Sequence, residues 1–477
     1  MTKRAPIIVV GIIVLVLLAA PLAIGMMTEN ALTQQVGIYT QNPALVTNVE
    51  SYERSWFTSR AELGIRLSDS YLEQLDTLGQ GSISQMLGGS SLPVIVEIFH
   101  GPVLLNDGFA IGSAGVKAYV DPESQLGILA AQFLGIPYLF EYRGRGGFGG
   151  GFQFEGEIPP FENALGETSY AFSGFDFSGV MQAGDTQLTA LLESASYQSP
   201  LESVLVEGVV VDVDYDYRQG MLPLSNMALN IRRVTTSNPL LGAQPLIALE
   251  DAGFGGTMIE NDAGTYIDVQ AFYRLGKFDA AGLFSIGDFD LSIDLNHLEA
   301  EAAAVLYELY REQISLPPFE QDLSVLEAPL ARLLAGEPTL TINPLHFAMA
   351  GGEFNATANV SLDNDALPTG GMRDFQDLMV LQQGLVMDLD MTASKRLVEY
   401  LGGMLMEQQL AFVTGPDGQP MPLDQIQAMA SAQLNLMLTG LAAQGLLVDE
   451  GDSYSMAFQL NNGTATANGQ PIPLGAF

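Results

Sequence analysis

A mainly β, α+β fold, with long antiparallel sheets outside a membrane and one N-terminal transmembrane helix, is predicted by three features of this 477-residue sequence. An uncharged apolar run opens the chain. Segments of strictly alternating polarity fill its middle. Amphipathic stretches of helical period interrupt the second half before alternation returns at the C-terminus.

The opening run extends from Ala5 to Met27, APIIVVGIIVLVLLAAPLAIGMM. At about 1.5 Å of rise per residue, a helix of this length crosses a hydrocarbon core of about 30 Å. Lys3 and Arg4 precede it and Glu29 follows. Because positive flanks stay in the cytoplasm, residues 1–28 are expected to form an uncleaved anchor. The expected localisation is a single-pass bacterial inner-membrane protein with the bulk of the chain in the periplasm. A cleaved signal peptide is the alternative. Its apolar region runs to about 7–15 residues, shorter than this one, and Ala23-Ile24-Gly25 is a weak cleavage motif. Pro21 is tolerated as a late kink.

Residues 29–318 read as a β-rich region. From Phe57 onward, Phe57, Ser59, Ala61, Leu63, Ile65 and Leu67 alternate with Thr58, Arg60, Glu62, Gly64 and Arg66. Period two marks a half-buried strand. Similar strand patterns start at Ser169, Val204, Thr265 and Leu283, separated by turn residues as in antiparallel meanders. No fixed repeat links them. The boundary is set after SLPPF, near residue 318.

Residues 319–477 read as a mixed α+β region ending in a β-hairpin. One helical face, before the boundary, is Leu298, Ala302, Val305 and Leu309. A second is Leu397, Tyr400, Leu401, Met404 and Leu405. The third is Ile426, Met429, Ala430, Met437 and Leu441, interrupted by Gln433. Methionines in such positions read as adaptable packing. In the tail, Asn462-Gly463 and Asn468-Gly469 are hairpin turns.

Composition excludes several chemistries. Lys and Arg total 18 against 55 Asp and Glu, a net charge of −37. A chain this acidic repels polyanions, so no nucleic-acid partner is expected. The excess charge reads as a solvated surface or a saline habitat. No cysteine is present, which removes disulfides, thiolate catalysis and cysteine metal sites. Tyr142 to Phe152, YRGRGGFGGGF, lacks the Gly-Lys-Ser/Thr ending of a phosphate loop and precedes a strand, so it reads as a glycine-rich hairpin or bulge. Asp212 to Tyr217, DVDYDY, has acids at the first three odd positions of a calcium loop. Tyr217 and Pro223 stand where glycine and glutamate belong, so it reads as a strand with an acidic outer face. His100, His297 and His346 lie in no zinc motif, and no esterase GxSxG is present. No metal, cofactor or catalytic residue is assigned. In EIFHGPVLL, residues 97–105, His100 follows a strand, Gly101 permits a turn and Pro102 fixes the next φ, so His100 reads as structural.

Four stretches, in order, carry a resemblance to a family. SYERSWFTSRAEL (51–63) resembles an early Tyr-x-Arg-Gly-Trp/Phe-Phe-x-Ser signature through Tyr52, Arg54, Trp56, Phe57 and Ser59, with Ser55 where glycine is usual. IFHGPVLL (98–105) supplies His100, Gly101 and Pro102. GEPTLTINPLHF (336–347) supplies Pro338 and Pro344. QLNNGTATANGQPIPL supplies Asn468 and Gly469. Together with the N-terminal anchor they resemble the YdgA-like family of bacterial envelope proteins, catalogued mainly as a domain of unknown function. The resemblance spans nearly the whole chain and carries no catalytic assignment to these positions.

The function expected is that of a non-catalytic envelope protein anchored in the inner membrane. It would act as a scaffold or a binding module for an envelope protein partner or an apolar, lipid-like ligand. The alternative is a periplasmic hydrolase working through carboxylates.

Overall fold

A computed structural model describes residues 45–68, 72, 91–104, 110–216, 224–242, 244–261, 264–281, 283–314, 322–363, 383–410 and 422–472. The expected anchor over 1–28 and the expected boundary near 318 lie outside them. The protein is mainly β, built on large antiparallel sheet, with helices among the strands. The chain divides into two compact units. The first comprises Met1–Pro200, Glu207–Tyr217 and Arg311–Gln321, and the second the remainder.

The first unit begins with β1 (Leu45–Arg54), β2 (Thr58–Leu67), β3 (Leu92–His100), β4 (Val103–Leu104), β5 (Ala110–Ile111), β6 (Ala114–Val120) and α1 (Gln125–Phe133). There follow β7 (Glu141–Gly146), β8 (Phe152–Ile158), β9 (Phe161–Leu165), β10 (Thr168–Phe172), β11 (Phe175–Gln182) and β12 (Asp185–Gln198). All pairings are antiparallel, in the order β1-β2-β3-β6-β7-β8-β11-β12, with β4 pairing β5 separately. The far half of β12 pairs β10, which pairs β9. The core sits on β2 and β3, where Ala61, Leu63, Val94, Val96 and Ile98 are buried. The alternation read from the sequence holds for Ser59, Ala61 and Leu63. Phe57 departs from it: it lies in the turn before β2 and is 54% exposed. The glycine-rich segment forms the β7–β8 hairpin. DVDYDY lies in strand β13 (Ser203–Asp216), up to Asp216.

The second unit is a meander of long strands: β14 (Leu224–Ser237), β15 (Ile247–Glu260), β16 (Tyr266–Ala280), β17 (Phe284–Glu299), β18 (Thr339–Met349), β19 (Gly352–Leu362) and β20 (Leu385–Ser394). After it come β21 (Val448–Asp449), β22 (Ser453–Asn461), β23 (Thr464–Ala467) and β24 (Gln470–Ile472). The order is β14-β15-β16-β17-β18-β19-β20-β22-β23-β24, all antiparallel, with β21 also on β22. Both Asn-Gly pairs make the expected turns. Asn462, Gly463, Asn468 and Gly469 all have positive φ, as a two-residue hairpin loop of this kind requires.

Helices α2 (Ala300–Ile314) and α3 (Glu327–Ala335) interrupt this meander between β17 and β18, and α4 (Lys395–Leu410) and α5 (Leu423–Ala443) between β20 and β21. On α2 the buried face is Ala302 and Ala303, and Val305 is 42% exposed. Leu298 and Ala302 of the face read from the spacing are thus buried, with Ile267 and Leu333, while Ala303 rather than Val305 completes the contact, because small alanines let the helix approach closely. On α5 the buried stripe is Ile426, Ala430, Leu434 and Leu438, a narrow spacing of four. Leu434 lies against Gly402 of α4. Met429 and Met437 fall outside this one-helix seam and are exposed.

Candidate functional site

Two of the sequence motifs meet in the first unit. The β1–β2 turn carries Trp56 and Phe57, and β3 ends at His100. His100 N donates to the Phe57 carbonyl at 2.8 Å, which ties the strand end to the turn. The imidazole is 1% exposed and Ser59 is 3% exposed. Their Oγ and Nε2 are 3.0 Å apart, and His100 Nδ1 is 3.4 Å from the Trp56 carbonyl oxygen. A carbonyl only accepts, so Nδ1 carries the proton and the Ser59 hydroxyl donates to Nε2. Burial pushes the His100 pKa down, the Trp56 carbonyl raises it, and the charge of Arg54 lowers it further. The ring is therefore neutral, as this hydrogen-bond pattern demands.

This connectivity is that of a serine beside its general base, with both side chains almost wholly buried. The adjoining hollow of about 380 Å³ is lined by Arg54, Ser55, Thr58 and Ser59 among others. Gly101 is fixed by close approach, since a Cβ there would overlap the Gly112 carbonyl oxygen. Gly101 N donates to Ser113 O at 2.9 Å, and the Gly101-Pro102 peptide is cis. Tyr52 packs on the β2–β3 core.

The remaining motif residues lie in the second unit. Pro338 precedes β18. Pro344 follows a cis peptide where the β18 register shifts between Ile342 and Leu345. Asn468 Oδ1 accepts from Ala457 N at 2.8 Å, and its Nδ2 donates to Gly445 O at 3.2 Å, so the turn is stapled to two segments. These are positioning roles. His346 meets Asn355 at 2.8 Å and His297 stacks on Tyr266. Among the described residues no cluster suits a metal ion.

Sequence inspection of single segments missed what the registers reveal. Residues directly opposite in a ladder share a face. In the second unit one such row is Leu229, Phe254, Tyr273, Leu291, Leu345, Ala356, Met391 and Met456. The neighbouring row on the same face is Met227, Gly256, Ala271, Ile293, Ile342, Ala358, Leu389 and Phe458. The row between them, on the other face, holds Ala228, Gly255, Phe272 and Ser292, and beyond it this face is polar: Asn230, Gly253, Arg274, Asp290, His346, Asn355, Thr392 and Ser455. Eight strands at about 4.8 Å make an apolar band on the order of 34 Å long. Helices α2 and α3 cover the band's Met258–Val269–Leu295 end. Beyond them Met227 is 49%, Phe254 41% and Tyr273 46% exposed.

The first unit repeats the two-faced design with different residues. Its apolar row is Tyr52, Ala61, Val96, Ala118, Tyr142, Gly156, Phe177 and Ala190. Rings lie over glycines here: Phe152 over Gly144, Phe177 over Gly156 and Phe154 over Gly179. Tyr142 stacks on Phe154 and Phe177. The opposite face is a charge ladder, Glu53, Arg60, Glu97, Lys117, Arg143 and Glu155. On it a hollow of about 330 Å³ collects Glu141, Glu157 and Asp176, neighbours in one cross-strand row. Burial works against ionisation of Glu141, but Lys117 at 3.0 Å and Arg143 hold its carboxyl below the usual range. The Tyr138 hydroxyl donates to Glu157, which with burial pushes Tyr138 up to about 12.

A family model described as a bacterial protein of unknown function (DUF945) matches residues 1–475. No curated protein matches, and no solved structure matches.

Proposed function

The chain belongs to the DUF945 family of bacterial proteins, and from that premise we propose a non-catalytic envelope protein that holds an apolar, acyl-chain-like ligand on its sheet. In this proposal residues 1–28 anchor it in the inner membrane and the two units stand in the periplasm. The observation that carries the reading is the uncovered apolar row through Leu229, Phe254 and Tyr273, opposed by a polar face that keeps the sheet soluble. Large exposed apolar patches mark binding surfaces. Each ligand methylene buried there contributes about 0.8 kcal/mol, so a chain-like ligand needs no charged contact. The methionines at Met227, Met391 and Met456 adapt to a flexible ligand without a fixed shape. The strongly acidic chain disfavours anionic head groups close to it, leaving them in solvent.

The test is organic extraction of the purified full chain followed by lipid mass spectrometry, with titration of a fluorescent fatty acid. Co-purifying lipid and micromolar binding support the proposal. A lipid-free protein that binds no fatty acid overturns it.

One observation favours a second reading, a carboxylate-dependent hydrolase: the Glu141–Glu157–Asp176 row in one hollow. Against it, Glu141 is engaged by two cations and held ionised, which leaves it no proton to donate as a general acid. Turnover of any glycoside that is abolished by Glu157→Gln with the fold intact would establish this second reading.

A further inference from the structure

We propose that one end of the first unit's sheet is a bilayer-docking rim. The registers bring four strand-end connections to the same end. Thr58 of β2 pairs with Phe99, His100 with Ala114, Ala114 with Gly146, Gly146 with Phe152, Phe152 with Met181, and Gln182 with Asp185. The β1–β2 turn, the described residues 101–104 and 110–113 after His100, the β7–β8 turn and the β11–β12 turn therefore stand at one end of the sheet.

Five apolar side chains on or beside these connections face solvent. Trp56 is 48%, Phe57 54%, Ile111 69%, Phe148 64% and Met181 45% exposed. Single exposed apolar residues are ordinary, but here each of the four neighbouring connections has at least one in it or beside it. Phe148 stands alone in GGFGGG, a loop with no other side chain to cover it. A Trp and two Phe, with an Ile and a Met, at one end of a sheet match what sits in the headgroup layer of a membrane.

The charge agrees. Counted along the sequence, the four connections and the three residues on either side of them hold Arg54, Arg60 and Arg145 against Glu53, Asp107 and Asp185. Three against three is a local balance in a chain with 18 basic and 55 acidic residues. An anionic surface is thus met by a part of the protein that repels it less than the chain's average charge would. A second copy of so acidic a chain gains no such match, which is why a bilayer is the occupant proposed.

The rim also lies at the end of the apolar face, since Phe152 is on the same side of β8 as Phe154. A lipid leaving a bilayer there would meet apolar side chains at once. The docking itself rests only on the rim and stands apart from the ligand reading above.

Trp56 is the chain's only tryptophan, so its emission reports on the rim alone. The full chain is reconstituted into vesicles of phosphatidylethanolamine and phosphatidylglycerol, with and without brominated acyl chains. Docking predicts blue-shifted Trp56 emission that brominated lipid at least halves. The double variant Ile111→Ser, Phe148→Ser, with unchanged circular dichroism, should lose most of that quenching. Emission typical of water and unaffected by brominated lipid overturns the rim while leaving anchoring and ligand binding untouched. A blue shift that depends on protein concentration and resists the quencher assigns the rim to a second copy and also overturns it. Failure of the chain to float with the vesicles overturns both the rim and the anchor.

Discussion

The two units solve one problem with different side chains. Each is an antiparallel meander with an apolar and a polar face. In the first, short strands put Phe rings over Gly144, Gly156 and Gly179, and the polar face is a ladder of charges. In the second, strands of up to 16 residues carry Leu, Ile, Met and Ala, and helices cover part of the apolar face. Rings over glycines fill the gaps that those glycines leave in the sheet face. An aliphatic and methionine-lined face that helices cover only in part leaves Met227, Phe254 and Tyr273 exposed. On the proposed function, the choice between self-filling and open packing, rather than sheet length alone, makes a binding face.

The largest effect is expected at a backbone contact in the first unit. Gly101→Ala would drive a Cβ into the Gly112 carbonyl, a backbone atom that has nowhere to move. It should cost about 4 kcal/mol or more and show as loss of folded protein on urea unfolding. Near-wild-type stability would mean the His-Gly-Pro turn is looser than its geometry.

Next come the aromatics, which separate the units. Phe177→Ala should cost about 2–3 kcal/mol, because the ring fills the space over Gly156. Phe254→Ala, at an exposed site, should cost less than about 1 kcal/mol yet weaken fatty-acid binding. Equal stability losses would erase the distinction between self-filling and open faces.

His100→Ala should destabilise by about 2 kcal/mol, since it leaves the Ser59 hydroxyl unpaired in a buried place. The pH dependence follows from the depressed pKa. Native His100 is neutral, while the unfolded ring takes a proton below about 6.5. Its contribution is present above that pH and is lost as pH falls through the lower native value. Urea midpoints from about pH 8 to about pH 5 should fall less steeply in His100→Asn than in the wild type.

The smallest effect is a gain. Gly403 lies inside α4 with open space where an alanine methyl group would sit, so Gly403→Ala should raise stability by about 0.5–1 kcal/mol. A loss would place an unseen neighbour there.

Much of the fold was legible because each strand announces its own period. The alternation after Phe57, the Asn-Gly turns and the glycine-rich hairpin all follow from local rules. The helix faces were read less well. Which stripe is buried depends on the partner, and Ala303 and Leu434 are chosen by Ile267 and Gly402, which no local pattern reveals. For the candidate site, the motifs at Trp56–Ser59 and His100 were visible, but their meeting was not, since it needs the β2–β3 register. The apolar band was missed for the same reason. Leu229 and Met456 share a row only through six intervening strands.

The central claim is that the second unit's apolar band holds an acyl chain. A fatty acid bearing a photoactivatable diazirine, irradiated with the full chain and mapped by peptide mass spectrometry, tests it directly. Cross-links at Met227, Phe254, Tyr273 and Leu291, competed by unlabelled fatty acid, are the expected result. Saturable labelling confined to other segments, or no competed labelling at all, would contradict it.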